Sequence, residues 1–255
     1  MFQINNIDKK FYLENGYILK DIFKNNPEFI SFSERFRKEI NNFIAENKID
    51  KLGGYKSGNL NIYTGKFGNE LLLMIKEKGF SEYFNFIIND KIENYDFLAG
   101  GNLNLPNSKN QFFHTDGKSK PRMIIVNIAT SEINLLNGPL QIIKKSHTTN
   151  IEYWKFALKI LFLNKKKITL DIGDVLIREH TLWHRGTCNQ SINNREMIGL
   201  MFIKKPHNLD LLNIKKEKEL SIKSNIFGNT RKEKFKENLF IYFKSIFFVY
   251  KFFRS

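Results

Sequence analysis

The chain has 255 residues, of which 42% are hydrophobic and 26% are charged, and its formal net charge at neutral pH is +15. This length and composition allow a sizeable hydrophobic core and argue against a wholly disordered chain. The positive charge is typical of proteins with an anionic partner such as nucleic acid, a membrane surface or a phosphorylated substrate, and by itself it does not choose among them.

The expected compartment follows from what the sequence lacks. Cys188 is the single cysteine, which excludes an intrachain disulfide and fits a reducing compartment. The N-terminal stretch has no apolar core or cleavage site of a secretory signal, and no run reaches the roughly 18 apolar residues of a spanning helix. We therefore expect a cytoplasmic protein.

The first part of the chain has the spacing of helices. Apolar residues three and four apart occur up to about residue 50, and residues 33–47 form the clearest helical segment, with Ser33 as its expected N-cap. Gly53 and Gly54 interrupt the pattern. A second helical stretch is predicted from about Asn69 to Ile88.

From Tyr95 the sequence changes to short apolar runs separated by Gly, Asn, Pro and Ser, which is typical of strands and turns. One helical interlude is expected at residues 150–163. Helices followed by a β-rich block predict a mainly β fold with flanking helices, an antiparallel barrel or sandwich rather than a βαβ fold.

A His-x-Asp pair lies in the segment QFFHTDG, residues 111–117. On a strand, His114 and Asp116 would point to the same side and could share one metal ion. Two histidines and one carboxylate form the facial triad of non-haem iron(II) oxygenases, which leaves coordination positions open for substrates. The best third ligand is His184, in the segment TLWHRG.

Arg195 begins the next predicted strand. If the strands around His184 and Arg195 form a hairpin centred near residues 189–190, both side chains face one cavity. A buried guanidinium can bind a carboxylate through two hydrogen bonds, which suits 2-oxoglutarate. Charges balance as well, because iron(II) with Asp116 gives +1 and Arg195 adds +1 against the dianionic cosubstrate.

Each of these residues also has a purely structural interpretation. His114 could be a core histidine bonded to a carbonyl group, and Asp116 before Gly117 could be a turn aspartate. His184 could belong to an aromatic cluster, and Arg195 could form a surface ion pair. Their order and spacing together favour the metal site.

Four blocks of sequence resemble the phytanoyl-CoA dioxygenase-like family of iron(II)/2-oxoglutarate-dependent oxygenases. They are QFFHTDG, the segment 137–147 (NGPLQIIKKSH), the segment from Gly173 to Gly186, and Asn189-x-Ser191 followed by Arg195, eleven residues after His184. Residues 11–20 resemble the family's opening segment, so the likeness covers roughly residues 10–205. Lys144 and Lys145 replace the family's usual Pro-Gly, which puts the geometry of that turn in question.

The resemblance implies a double-stranded β-helix core, also called a jelly roll or cupin-like fold. It implies an enzyme with His114, Asp116 and His184 as iron ligands and catalytic residues and Arg195 as the 2-oxoglutarate ligand. The expected reaction uses O2 and hydroxylates an unidentified small, carrier-linked or lipid-linked substrate while 2-oxoglutarate is decarboxylated to succinate. A carboxylate at position 116 favours hydroxylation, because related halogenases have a small residue there.

Further cosubstrate contacts are expected from Gln111 and Asn127. Gln111 faces His114's side only if its strand bulges, since it lies three residues before the histidine. Asn127, like Asn102 and Asn104, is either an inward-facing polar residue or an asparagine of a turn or sheet edge.

The C-terminal part predicts a separate extension, residues 206–255, after the oxygenase domain of residues 1–205. Residues 231–255 fit a basic, aromatic helix with Glu237, Lys244 and Lys251 on one narrow polar stripe. Such a helix either lies in a membrane interface or packs on the protein. No nucleic-acid-binding signature accompanies the lysines. A non-catalytic scaffold at a membrane is the alternative function, although a scaffold needs none of the four site residues.

Overall fold

The structure of the protein is a computed structural model that describes residues 1–117, 120–148, 153–207, 219–243 and 245. Six α-helices lie in this part of the chain: α1 Asn6–Asn15, α2 Pro27–Glu46, α3 Lys66–Glu77, α4 Phe80–Ile88, α5 Tyr153–Lys159 and α6 Arg231–Tyr242. Ten strands accompany them: β1 Tyr17–Asp21, β2 Asn59–Tyr63, β3 Tyr95–Asn104, β4 Met123–Ile128, β5 Leu140–Ile143, β6 Lys165–Ile168, β7 Asp174–Glu179, β8 His184–Gly186, β9 Arg195–Lys204 and β10 Ser221–Lys223.

Two of the helical predictions need correction. The helix α2 begins earlier than expected, because the Asn26 side chain accepts a hydrogen bond from the Phe29 N–H at 2.8 Å and Pro27 occupies the first helical position. Ser33 is therefore not an N-cap; it lies buried inside the helix, where its hydroxyl donates to the Phe29 carbonyl. The single stretch predicted over residues 69–88 is two helices, separated at Gly79, whose φ of +81° favours glycine.

The strands form two antiparallel sheets. The large sheet has the order β1-β7-β4-β9-β3-β2-β10, and the small sheet has the order β6-β5-β8. This arrangement confirms the prediction of a mainly antiparallel β fold with flanking helices. The strand β10, which lies far along the chain, pairs with β2 and forms an edge of the large sheet.

The hydrophobic core lies between the large sheet and the helices α2, α3 and α4. Along β9, Ile198, Leu200 and Phe202 are buried in this core. Their neighbours Arg195, Met197, Gly199 and Met201 line a cavity on the opposite face. Because side chains alternate along a strand, the apolar face fixes the sheet on its helices and leaves the other face for a site.

The C-terminal extension packs on this framework as far as the structure describes it. Thr230 and Glu233 form a capping box at the start of α6, and Glu237 and Phe240 are buried. Of the predicted polar stripe, Glu237 faces the protein, while Lys244 and Lys251 lie outside the described residues. The division of the chain at residue 206 stays a prediction. None of the described helices is long and apolar enough to cross a membrane.

Candidate metal centre

The two candidate histidines face each other as a pair across two backbone segments. The His114 N–H donates to the His184 carbonyl and the His184 N–H donates to the His114 carbonyl, both at 2.9 Å. His184 starts β8, whereas His114 makes only this isolated bridge rather than a regular strand. The pairing holds the centroids of the two imidazole rings 4.5 Å apart.

Backbone carbonyl groups set the tautomer of both imidazoles. Nδ1 of His114 lies 2.9 Å from the Phe112 carbonyl oxygen, and Nδ1 of His184 lies 2.9 Å from the Leu182 carbonyl oxygen. A carbonyl oxygen can only accept, so each Nδ1 donates to its carbonyl group and each Nε2 is the ring nitrogen that faces the cluster. This is the arrangement that metal-binding histidines use.

Asp116 completes the cluster. Its Oδ1 lies 3.5 Å from Nε2 of His184 and 4.0 Å from Nε2 of His114. One ligand atom from each of the three residues lies within 4.8 Å of the others, a spacing that could hold a metal ion. Asp116 lines the cavity, and its side chain is 24% exposed.

Arg178 is a site residue that the sequence analysis missed. Its Nη1 forms an ion pair with Oδ2 of Asp116 at 2.6 Å, and its Nε donates to Oδ1 of Asn127 at 3.0 Å. Burial alone would raise the pKa of the Asp116 carboxyl, but Arg178, and after it His184, holds that pKa well below its usual range. The available signal was an arginine directly after the apolar run Val175–Ile177 of strand β7.

Arg195 reaches the cavity from a different direction than predicted. His184 lies on β8 of the small sheet and Arg195 on β9 of the large sheet, so the two strands do not form a hairpin. Residues 187–194 cross between the sheets, and the Asn189 amide fastens the crossing by donating to the carbonyls of Asn104 and Asn193. The two side chains therefore meet across the cavity rather than along one sheet.

The guanidinium of Arg195 is buried with few partners. Its Nη2 donates to the Gly138 carbonyl at 3.0 Å, whereas its Nε and Nη1 are buried without a hydrogen bond. Burial lowers the pKa of Arg195 to about 10, and the neighbouring carboxylate of Glu196 opposes this shift. Buried N–H groups without acceptors are costly, so this arginine fits an anionic ligand.

Gln111 and Asn127, the two residues predicted as further cosubstrate contacts, both line the cavity and have different hydrogen-bond partners. Gln111 accepts a hydrogen bond from the Gly186 N–H at 2.9 Å, which holds the segment before His114 against β8. Asn127 accepts from Arg178 and lies in register with Gly199 of β9. Asn102 and Asn104 point to the same face, and Asn104 donates to the Thr187 carbonyl. Cosubstrate binding by Gln111 and Asn127 stays a prediction.

These groups share one cavity of about 680 Å³. Two imidazoles and one carboxylate are a donor set that suits iron(II). The unpaired N–H groups of Arg195 suit the distal carboxylate of 2-oxoglutarate. Apolar side chains of Ile133, Leu140 and Leu170 fill the wall between the sheets.

Comparison with known proteins identifies the chemistry of this arrangement. Residues 98–197, which include His114, Asp116, His184 and Arg195, match the family model "Phytanoyl-CoA dioxygenase (PhyH)". These residues are therefore similar to a PhyH domain. Proteins of this family are iron(II)/2-oxoglutarate-dependent oxygenases, which confirms the prediction of an oxygenase that uses this cofactor and cosubstrate. No curated protein matches the sequence.

Solved structures with the same fold confirm the prediction of a jelly-roll core. SnoK, a non-heme alpha ketoglutarate dependent carbocyclase from nogalamycin biosynthesis, is 13% identical, with a TM-score of 0.60 over 79% of this chain and 84% of SnoK. EctD from S. alaskensis, solved with 2-oxoglutarate and 5-hydroxyectoine, is 16% identical, with a TM-score of 0.60 over 89% and 84% of the two chains. EvdO2 from Micromonospora carbonacea var. aurantiaca, complexed with 2-oxoglutarate, is 13% identical, with a TM-score of 0.59 over 82% and 94%.

Proposed function

We propose that this protein hydroxylates a small organic substrate, with iron(II) held by His114, Asp116 and His184 and the distal carboxylate of 2-oxoglutarate held by Arg195. One observation carries the proposal: the His-Asp-His cluster and a buried arginine with two unpaired N–H groups open onto the same cavity. A structural arginine would have its buried N–H groups paired.

The chain's own residues have separate tasks in this proposal. The Phe112 and Leu182 carbonyls hold Nδ1 of the two imidazoles, so that both Nε2 atoms point to one position. Arg178 holds Oδ2 of Asp116 and leaves Oδ1 toward the histidines. When bound, iron(II) with 2-oxoglutarate supplies the oxidation that converts O2, 2-oxoglutarate and a C–H bond into alcohol, succinate and CO2.

The cavity wall supports the same chemistry. Ile133, Leu140, Leu170 and Met197 line it and exclude water from the position where the cosubstrate would lie. Asp116 occupies the carboxylate position, so no coordination site is left for a halide ion in its place. This favours hydroxylation over halogenation.

An anaerobic titration tests the proposal. Purified protein is titrated with iron(II) and then with 2-oxoglutarate, and the weak visible charge-transfer band of the iron–2-oxoglutarate chelate is recorded. We expect the band in the wild type and its loss in Asp116→Ala. The same protein, given O2 without substrate, should release succinate slowly. Absence of both the band and succinate from the wild-type protein would favour the non-catalytic scaffold.

A lipid-linked or carrier-linked substrate, reached through membrane contact of residues 231–255, is a separate part of the proposal. The tail packs on the protein through Glu237 and Phe240, so such contact would depend on residues 243–255, which contain further aromatic and basic side chains. A chain ending at Tyr242 should lose any binding to anionic liposomes that the full chain shows. Equal binding by both chains would contradict membrane contact through this tail.

A further inference from the structure

The charged side chains of the cavity lie at one end of it. Among the described lining residues, the ionisable groups near the metal cluster are His114, Asp116, Arg178, His184 and Arg195. The proposed function already assigns a partner to each of them. The opposite end lies over β3 and β2 and beside residues 225–227, and in the described part of the chain it is lined by uncharged side chains.

Segments distant in sequence build this uncharged end. Phe227 and Phe240 of the C-terminal extension line it, together with Phe112 from the segment before His114. The ring of Phe240 packs at 5.4 Å from that of Phe112 and at 5.3 Å from that of Phe227, measured between centroids. The extension thus contacts the segment whose carbonyl group orients a metal-binding histidine.

Buried polar contacts hold the extension in place. The Glu237 carboxylate is 2% exposed and accepts hydrogen bonds from the N–H groups of Gly54 at 3.0 Å and Ser57 at 2.9 Å. Asn225 donates to the Asn59 carbonyl, and its own N–H donates to the Gly53 carbonyl. A buried carboxylate with two backbone donors is satisfied only if helix α6 stays seated on this loop.

Two amide side chains lie beside this aromatic wall. Asn61 on β2 and Asn102 on β3 are directly paired residues of neighbouring strands, and both line the cavity. The Nδ2 of Asn61 donates to the Ser224 carbonyl at 3.3 Å, which leaves its Oδ1 available. An amide offers both donors and an acceptor, which matches a hydroxyl group, itself a donor and an acceptor.

We propose that residues 221–242 are the outer wall of the active site, and that the pocket they complete binds an uncharged ring molecule that carries hydroxyl groups. This inference rests on the proposed function for the position of the metal. No described residue that lines this end carries a charge to offset the desolvation of a charged substrate, and such desolvation is costly. A linear acyl chain would offer no partner to the Asn102 amide or to Oδ1 of Asn61, whereas a hydroxylated ring can bind both and present its C–H face to the aromatic rings.

Ligand-observed NMR with the full chain tests the pocket. The neutral probes are methyl glucoside and myo-inositol, the charged counterparts are glucuronate and inositol monophosphate, and the linear control is 1,6-hexanediol. We expect saturation transfer to the neutral rings to be strongest. Phe240→Leu and Asn102→Ala should each weaken their binding at least tenfold, while Phe235→Leu, at an exposed position of the same helix, should leave it unchanged.

The outcomes separate this inference from the proposed function. Equal or tighter binding of the charged or linear probes would overturn it, as would no binding of the neutral rings or no effect of Phe240→Leu. The charge-transfer band of the chelate is recorded in parallel. A normal band with failed ring binding would leave the oxygenase proposal standing, whereas ring binding without a band would refute only the oxygenase proposal. Circular dichroism checks that the Phe240→Leu protein is folded. The effect of Asn102→Ala on ring binding does not depend on how the C-terminal extension packs.

Discussion

The two ends of the active-site cavity are built in different ways. The metal end consists of His114 and His184, whose backbones pair with each other, and of Asp116, which lies two residues after His114. The outer end brings together β2, β3 and a C-terminal extension that starts more than a hundred residues later in the sequence. Spacing within short motifs defines the first end, and tertiary packing of distant segments defines the second.

This difference separates chemistry from specificity. The metal end contains the proposed iron ligands and Arg195, all of which lie within the residues that match the family model. Phe227 and Phe240, which line the outer end, fall outside residues 98–197. Substitutions at the two ends should therefore affect different measurements.

The largest expected effect is at the metal end. Asp116→Ala removes the one carboxylate of the metal cluster, so succinate formation should fall to the background of the protein-free solution. Asp50→Ala, at an exposed aspartate, should retain wild-type succinate formation. Full turnover by Asp116→Ala would refute the assignment of the metal ligands.

The next effect concerns 2-oxoglutarate. Arg195→Met keeps much of the side-chain volume but removes the guanidinium, and a charge-assisted pair of this kind contributes roughly 3 kcal/mol. The concentration of 2-oxoglutarate that half-saturates the chelate band should rise about 100-fold, since each 1.4 kcal/mol is a factor of about ten. Arg35→Met, at an exposed arginine of α2, is the matched control. An unchanged titration would show that another group binds the cosubstrate.

Arg178 should affect metal affinity rather than cosubstrate affinity. Arg178→Gln removes the ion pair with Oδ2 of Asp116, and loss of a group that orients a metal ligand typically costs about 10- to 100-fold in affinity. Calorimetric titration with cobalt(II), without 2-oxoglutarate, measures this loss, and Arg178→Lys should restore part of it. Equal cobalt affinity in Arg178→Gln and wild type would show that Arg178 does not position Asp116.

The smallest effect is expected at the outer end. Glu237→Gln removes a charged acceptor from the N–H groups of Gly54 and Ser57, which should lower the free energy of unfolding by about 1–3 kcal/mol. Urea unfolding measures this change, with Glu219→Gln at an exposed position as control. The chelate band should be preserved in Glu237→Gln; its loss would mean that the two ends are not separable.

The fold class and the metal end could be predicted because their signals are local. His114 and Asp116 lie two residues apart and so stay close in space, although His114 forms an isolated bridge and not the predicted strand, and turn residues between apolar runs mark the strands. The hairpin prediction for His184 and Arg195 was wrong because nothing in the strand pattern shows that residues 187–194 cross between sheets. That crossing depends on hydrogen bonds of the Asn189 side chain to distant and local carbonyls.

The outer end could not be predicted for a related reason. Helical spacing showed that residues 231–255 have a narrow polar stripe, but it did not show which side packs on the protein. Glu237 is on the buried side because two backbone N–H groups from a distant loop satisfy its carboxylate. Arg178 was overlooked because its partner, Asp116, lies on a different segment, so only the fold reveals the ion pair.

The reciprocal backbone hydrogen bonds between His114 and His184 have a consequence for how the protein handles its metal. The distance between the two imidazoles is set by the peptide framework itself, so the ion does not have to draw two loose segments together. Little chain entropy is then lost when the ion enters. We expect the protein to keep its fold when a chelator removes the ion and to bind the ion again without a slow refolding step. The supply of iron in the cell, rather than protein turnover, would then decide which fraction of the protein contains iron.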